Sequence, residues 1–196
     1  MKRDFILNYI FYQHRNLGGY SMRQIQAEKY SKNMRIIHWV VSAFIIAELV
    51  CGFLMGGFAV PFKFSVYSLH KSIGVLIFLF VVIRIFNRFN SKIPELPTAI
   101  NKFERIAAKI AVFILYLGMI AMPVSGYLMS VYYDYKVLFF GLGLPMFVEK
   151  NPEIANIFSS IHSATAIILS SLIIGHVLLT FKHMLIDKVN LLKRMI

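Results

Sequence analysis

The sequence contains only one cysteine, Cys51, and only 15% of its residues are charged. A single thiol excludes an intramolecular disulfide framework and any metal site built from several cysteines. A typical soluble domain carries about 25% charged residues and is roughly 45–50% apolar, whereas this chain of 196 residues is 58% hydrophobic. The composition therefore disfavours a soluble domain, and a metal ion would need ligands other than a set of cysteines.

Acidic residues are also few: 9 Asp and Glu stand against 21 Lys and Arg, which gives a net charge of +12. A nucleic-acid-binding domain places such cations on one face or stripe. Here they are concentrated in segments between long stretches that contain almost none. The basicity therefore predicts no nucleic-acid partner.

Long apolar stretches are abundant, and four of them can each cross a hydrocarbon core of roughly 30 Å. In the second, Lys71 and Arg84 lie near the ends, where long side chains can reach the interface. The sequence predicts an all-α membrane protein, a four-transmembrane-helix bundle, with the lipid bilayer as a partner. The four predicted spans are Ile36–Phe58, Tyr67–Phe86, Ile110–Tyr133 and Ile154–Phe181.

The cations flank the predicted spans unequally. Only Lys63, Lys71, Lys136 and Lys150, of the 21, lie on one side of the membrane in this arrangement. Because cytoplasmic loops carry the excess of Lys and Arg, both termini are predicted to be cytoplasmic. We expect residues 1–30 to form a flexible N-terminal cytoplasmic extension and residues 31–196 to form the bundle domain. The outer link Val131–Glu153 is predicted to be partly helical and to close over the bundle.

Four of the six histidines lie within the predicted spans: His38, His70, His162 and His176. An ionisable residue in a membrane span is a functional hypothesis, although a neutral histidine bonded to a neighbouring helix explains any one of them. On antiparallel helices, His38 shares the inner depth with His176, and His70 shares the outer depth with His162. Two histidine pairs from facing helices are suited to bis-imidazole metal centres in a bundle core. We expect no carboxylate or thiol at either depth, so haem fits better than zinc or copper.

Other ionisable side chains have two interpretations. Arg84 is suited to pair with a haem propionate but is equally explained as a positive-inside anchor. Lys71, beside His70, could neutralise an outer propionate or attract an anionic substrate. Glu48, near the middle of the first span, is expected to bond a facing polar group or to handle protons. His183 is interpreted as an ordinary interfacial residue, as a proton-exchanging residue or, less simply, as a rival ligand.

The sequence resembles the bacterial cytochrome b561 family of four-helix di-haem membrane proteins, from about residue 29 to the C-terminus. The resemblance implies a location in the bacterial inner (plasma) membrane and implies that His38, His70, His162 and His176 are ligands of two haem b groups. It also implies that electrons pass between the outer face and a membrane quinone, with which His183 could exchange a proton. One branch of that family oxidises superoxide, and other members are cytochrome subunits of hydrogenases or reductases. The motifs that carry the resemblance are Ile37-His38-Trp39, Leu69-His70-Lys71, Val82-Ile83-Arg84, residues 121–126, Phe140-Gly141-Leu142, Gly175-His176, Lys182-His183 and Leu192-Lys193-Arg194-Met195.

Three functional hypotheses follow from these observations. The first is transmembrane electron transfer through two b-type haems between an outer donor, such as superoxide, and membrane quinone, which would be a superoxide:quinone oxidoreductase-type activity. The second is a cytochrome b subunit that docks a partner oxidoreductase such as a hydrogenase. The third is a transporter or structural bundle whose histidines bind no haem.

Overall fold

The fold consists of four long helices, seen in a computed structural model that describes residues 28–196. Most of the predicted extension over residues 1–30 therefore lies outside the described residues. Each helix is long and apolar enough to cross a membrane, which confirms the predicted all-α four-helix fold. The helices are α1 (Lys32–Leu54), α2 (Phe62–Phe89), α3 (Lys102–Tyr132) and α4 (Pro152–Leu185).

Three helix starts are specified by a capping side chain. Ser31 accepts a hydrogen bond from the Met34 backbone N–H, and Asn101 accepts one from Glu104. Asn151 accepts from the two backbone N–H groups at positions 153 and 154. These side chains satisfy donors that a helix start leaves without an intrahelical partner.

The bundle has two ends. The inner end is the one at which α1 and α3 begin, and the outer end is the one at which α2 and α4 begin.

The helices pack mainly in chain order, α1 on α2, α2 on α3 and α3 on α4, whereas α1 and α4 make few close backbone approaches within the described part of the chain. The buried core is small, and every helix contributes to it. Because α1 and α4 stand apart, side chains that project between them border a cleft. The core residues are Val41, Ile45, Ile77, Val81, Met119 and Leu169.

The outer link forms a short β-hairpin, with β1 (Leu138–Phe139) antiparallel to β2 (Leu142–Gly143). The hairpin turn has positive φ angles at Phe140 (48°) and Gly141 (95°), as expected for a tight hairpin. The prediction of a partly helical outer link is therefore wrong, because Gly141 allows the chain to reverse here. The link does pack on the bundle, since Ser72 Oγ donates to the Leu138 carbonyl at 2.8 Å and accepts from the Phe140 N–H at 3.1 Å.

Candidate functional site

His70 of α2 and His162 of α4 face each other in the outer half of the bundle, with ring centres 6.4 Å apart and ring planes at 86°. Two imidazoles that bind one metal atom from opposite sides, each through a bond of about 2.0 Å, place their ring centres roughly 6 Å apart. The spacing of this outer pair therefore fits bis-imidazole ligation of a single iron atom.

The ring of His162 is oriented by α3. Its Nδ1 lies 2.9 Å from the Met122 carbonyl oxygen and 3.3 Å from Ser125 Oγ. A carbonyl only accepts, so Nδ1 carries the proton and donates it, and Nε2 keeps the lone pair that a metal requires. Gly126 permits this approach, because a Cβ there would lie only 3.0 Å from His162 Cε1.

His70 has acidic and thiol neighbours on α1. Its Nδ1 lies 2.5 Å from Glu48 Oε2, and Cys51 joins them in a cluster whose potential ligand atoms all lie within 4.8 Å of one another. The expectation that no carboxylate or thiol accompanies either histidine pair is therefore wrong for the outer pair. The physical reason is depth: His70 lies eight residues after the start of α2 at Phe62, about 12 Å along the helix, which brings it level with Glu48.

A cavity of about 470 Å³, including its open mouth, lies beside the outer pair and is lined by all four helices. Apart from Glu48, His70 and His162, its lining is apolar. Gly74 also lines it, and a Cβ added there would meet no atom within 4 Å. An apolar cleft between two imidazoles is what a planar macrocycle needs, so these residues fit a haem.

The inner pair, His38 of α1 and His176 of α4, lies within electrostatic range, and Arg84 of α2 is close enough for its charge to act on both. Arg84 is positioned by Tyr116, whose hydroxyl accepts from Arg84 Nε at 3.1 Å. The Arg88 guanidinium also lies over the Tyr116 ring, 5.5 Å from its centre. The structure thus brings the predicted inner residues to one level of the bundle.

Lys71, next to His70, connects α2 with the outer link. Its ammonium lies 3.5 Å from the Lys136 carbonyl oxygen and 5.6 Å from the centre of the Tyr135 ring. The Lys71 side chain is half-buried. These contacts hold its positive charge at the outer end of the bundle, near His70.

A cluster of polar side chains lies at the inner end, and the sequence predicted only part of it. His183 is 6% exposed, and its Nδ1 lies 2.6 Å from Asp187 Oδ2. Lys182 bridges Asp187 at 2.8 Å and Glu104 of α3 at 2.7 Å. His183 is therefore a buried residue paired with a carboxylate, and which of its three interpretations holds stays a prediction. The spacing of four between His183 and Asp187 was a signal for this pair, because residues four apart are neighbours along a helix, although Asp187 lies two residues beyond the end of α4 at Leu185.

Hydrogen bonds from Lys182 and His183 hold the pKa of Asp187 below its ordinary value. The carboxylate therefore stays ionised near neutral pH and keeps the ring of His183 oriented. Since Nδ1 of His183 is engaged by Asp187, only Nε2 is left for another partner.

Comparison with known proteins confirms the family resemblance. A family model described as prokaryotic cytochrome b561 matches residues 29–196. Cytochrome b561 homolog 2 of Escherichia coli (strain K12) is 30% identical over 176 residues, which is 86% of this chain and 92% of that protein. Cytochrome b561 homolog 1 of the same organism is 26% identical over 171 residues, 85% of this chain and 96% of that protein. The chain therefore belongs to the prokaryotic cytochrome b561 family, as a multi-pass bacterial membrane protein that transfers electrons across the membrane through haem b.

Proposed function

We propose that this protein moves electrons between the outer end of the bundle and membrane quinone through two b-type haems in series. His70 and His162 hold the outer haem, and His38 and His176 hold the inner one. The observation that carries the proposal is the 6.4 Å separation of the outer imidazole rings, together with the bond that leaves Nε2 of His162 free to bind iron.

When bound, each haem supplies a one-electron couple, and ligation by two histidines favours electron transfer over oxygen chemistry at the iron. The protein supplies orientation and a dry environment. Met122 fixes the tautomer of His162, and the apolar cavity wall keeps water away from the outer pair. Facing helices hold the two rings of each pair, so neither ring depends on a mobile loop.

The spacing along α4 supports two centres in series. His162 and His176 are 14 residues apart, which is roughly 21 Å along a helix and within about 40° of one face. A hydrocarbon core is roughly 30 Å thick. Two centres at these depths would therefore cover most of the path across the membrane.

Cations near each pair suit the propionates of a haem. Arg84, held by Tyr116, lies at the level of the inner pair, and a guanidinium can bind a carboxylate through two parallel hydrogen bonds. Lys71 lies at the outer end beside His70. We assign Arg84 to the inner haem and Lys71 to the outer haem or to an anionic donor that approaches it.

The buried pair of His183 and Asp187 supports a quinone site at the inner end. Reduction of a quinone consumes protons, and a histidine held by a carboxylate can exchange a proton through its other nitrogen. His183 lies seven residues beyond His176, about 10 Å further along α4. A quinone near His183 would thus be close to the inner haem.

Spectroscopy on histidine variants tests this proposal. A reduced-minus-oxidised difference spectrum of the purified protein should show b-type bands, with two haems per chain by pyridine haemochrome assay. His70→Ala and His162→Ala should each remove about one haem and leave the absorption bands of the inner haem. His38→Ala and His176→Ala should each remove the inner haem and leave the bands of the outer haem. His183→Ala serves as the matched control and should retain both haems. Loss of the inner signature in His70→Ala would refute the pairing, and a protein without haem bands would refute the proposal.

The identity of the electron donor is tested separately with the isolated protein that contains both haems. Reduction of quinone by superoxide without any other protein would support superoxide as the donor. A chain that retains both haems but reacts only after an oxidoreductase is added would instead favour a docked protein donor.

A further inference from the structure

The two ligands of the outer pair differ in what their second ring nitrogen meets. Nδ1 of His162 faces a neutral carbonyl, that of Met122, at 2.9 Å. Nδ1 of His70 faces a carboxylate oxygen of Glu48 at 2.5 Å. One side of the outer pair is therefore neutral, whereas the other contains an acidic group.

The Glu48 contact is enclosed within the bundle. Glu48 is 9% exposed, and both contacting atoms are shielded from solvent. The contact is close but poorly aligned as a hydrogen bond, and neither atom has another hydrogen-bond partner among residues 28–196. A carboxylate inside a membrane span is costly unless it is paired, and the N–H of His70 is the nearest group that can pair with it.

A histidine that binds a metal through Nε2 commonly donates its Nδ1–H to a carboxylate or a carbonyl, and this bond makes the imidazole more basic. A more basic ligand and a nearby negative charge both favour ferric over ferrous iron. At the inner pair the cation Arg84 lies close enough for its charge to act on both histidines, and a nearby positive charge favours the ferrous state. The two charges therefore act in opposite directions at the two depths.

We propose that Glu48 accepts the Nδ1–H of His70 and makes the outer haem the lower-potential of the two, so that electrons run from the outer to the inner end. This inference rests on the proposed haem ligation. Lys71 is adjacent to His70, but its ammonium lies against the Lys136 carbonyl and the Tyr135 ring in the outer link, whereas the Glu48 carboxylate lies 2.5 Å from His70 Nδ1. Glu48 acts here as a positioning residue, because it touches the ligand and not the iron.

Redox potentiometry of the purified holoprotein tests the inference. In Glu48→Gln, which keeps the shape and removes the charge, the outer potential should rise and the inner potential should stay the same. A tenfold change in the ferric-to-ferrous ratio corresponds to about 59 mV for one electron, and we expect a shift of that order. Cys51→Ser is the matched control, because it alters the same cluster and keeps the carboxylate, and it should leave both potentials unchanged.

The outcomes separate this inference from the proposed function. An unchanged outer potential in fully loaded Glu48→Gln would overturn the role of Glu48. If Glu48→Gln does not accumulate, the two potentials of the wild-type protein still test the inference. His70→Ala identifies which potential belongs to the outer haem. An outer potential equal to or above the inner one would contradict the inference. The role of Glu48 would also be overturned if the purified protein bound one zinc ion per chain in competition with haem and Cys51→Ser abolished that zinc binding. A wild-type protein without haem bands would instead refute the proposed function.

Discussion

At the scale of single residues, the four spanning histidines are distinguished by their neighbours. His162 is held by a backbone carbonyl, whereas His70 Nδ1 lies 2.5 Å from a carboxylate oxygen of Glu48 but is poorly aligned for a hydrogen bond. For His38, Nδ1 has no hydrogen-bond partner in the described chain, although it is shielded from solvent, and the His176 side chain is exposed. Since ligand orientation depends on such partners, His162 is more firmly oriented than His38 or His70.

Lys71 carries a prediction about the donor side. If superoxide is oxidised, Lys71→Gln should lower the apparent second-order rate and flatten its dependence on salt. The reason is that a cation beside the outer ligand attracts an anion, and salt screens this attraction. Stopped-flow measurements over a range of ionic strength check the effect, with haem content measured in parallel.

Lys150→Gln is the control for Lys71→Gln, because Lys150 is exposed on the same side but is not adjacent to a histidine ligand. It should change the rate less than Lys71→Gln. The same rate and salt slope in a haem-loaded Lys71→Gln protein would argue against steering at this residue and in favour of a docked protein donor.

At the scale of helices, the packing of α4 on α3 positions the outer ligand. Gly118 of α3 lies directly under Leu169, and the rings of Tyr132 and Phe158 stack with centres 5.9 Å apart and planes at 8°. Glycine at such a contact lets two membrane helices approach closely. The same approach brings His162 to within hydrogen-bond distance of Met122.

Gly118→Ala should therefore destabilise the bundle. Alanine normally improves a helix by up to about 1 kcal/mol over glycine, but here its Cβ would lie 2.8 Å from Leu169 Cδ2 and 2.9 Å from Leu169 Cγ. Overpacking of this kind costs roughly 1–3 kcal/mol. We expect a lower thermal unfolding midpoint in detergent.

A double-mutant cycle identifies the cause. In a Leu169→Ala background, Gly118→Ala should cost little or nothing more, because the clashing side chain is gone. If the cost of Gly118→Ala is the same in both backgrounds, the contact with Leu169 does not explain it.

At the scale of the whole molecule, the inner end is closed by the C-terminal segment. Arg194 is 2% exposed and donates to the carbonyl oxygens of Pro94 at 2.7 Å and Glu95 at 2.9 Å. Trp39 donates to the Met195 carbonyl at 2.7 Å, and Arg35 donates to the carbonyl of Ile196. The C-terminal segment thus connects the start of α1 with the loop between α2 and α3.

The charged group of Asp187, Lys182, His183 and Glu104 lies at the same inner end and makes stability depend on pH. Because its folded-state pKa is lowered by Lys182 and His183, ionised Asp187 stabilises the folded protein. This contribution is present above its ordinary value of 3.8 and is lost as pH falls through the lowered pKa. Asp187→Asn should therefore lower the unfolding midpoint at neutral pH, and the difference from wild type should shrink below about pH 4.

Thermal unfolding measured from pH 3 to pH 7 checks this prediction. Asp134→Asn, at an exposed outer-end carboxyl, provides the control and should show no comparable difference at neutral pH. A difference between Asp187→Asn and wild type that persists unchanged at low pH would contradict the electrostatic explanation.

Much of the fold is determined by local features of the sequence. Uncharged stretches define the spans, because every backbone polar group in a membrane must be satisfied within the segment, as a helix does. Ser31, Asn101 and Asn151 define three helix starts through their own side chains. The level of each histidine follows from counting residues along antiparallel helices, so the grouping of His70 with His162 could be predicted.

The contacts between helices were decided only by the tertiary structure. That Glu48 and Cys51 meet His70, and that His183 is buried against Asp187, depends on how far each helix is rotated and shifted against its neighbours. The hairpin of the outer link likewise depends on its bonds to Ser72. The sequence by itself determined which segments can span the membrane and which histidines share one end of the bundle, because hydropathy and helical rise are local properties. Which side chains touch across the bundle is not local, so the neighbours of Nδ1 in His70 and His162 emerged only from the packed structure.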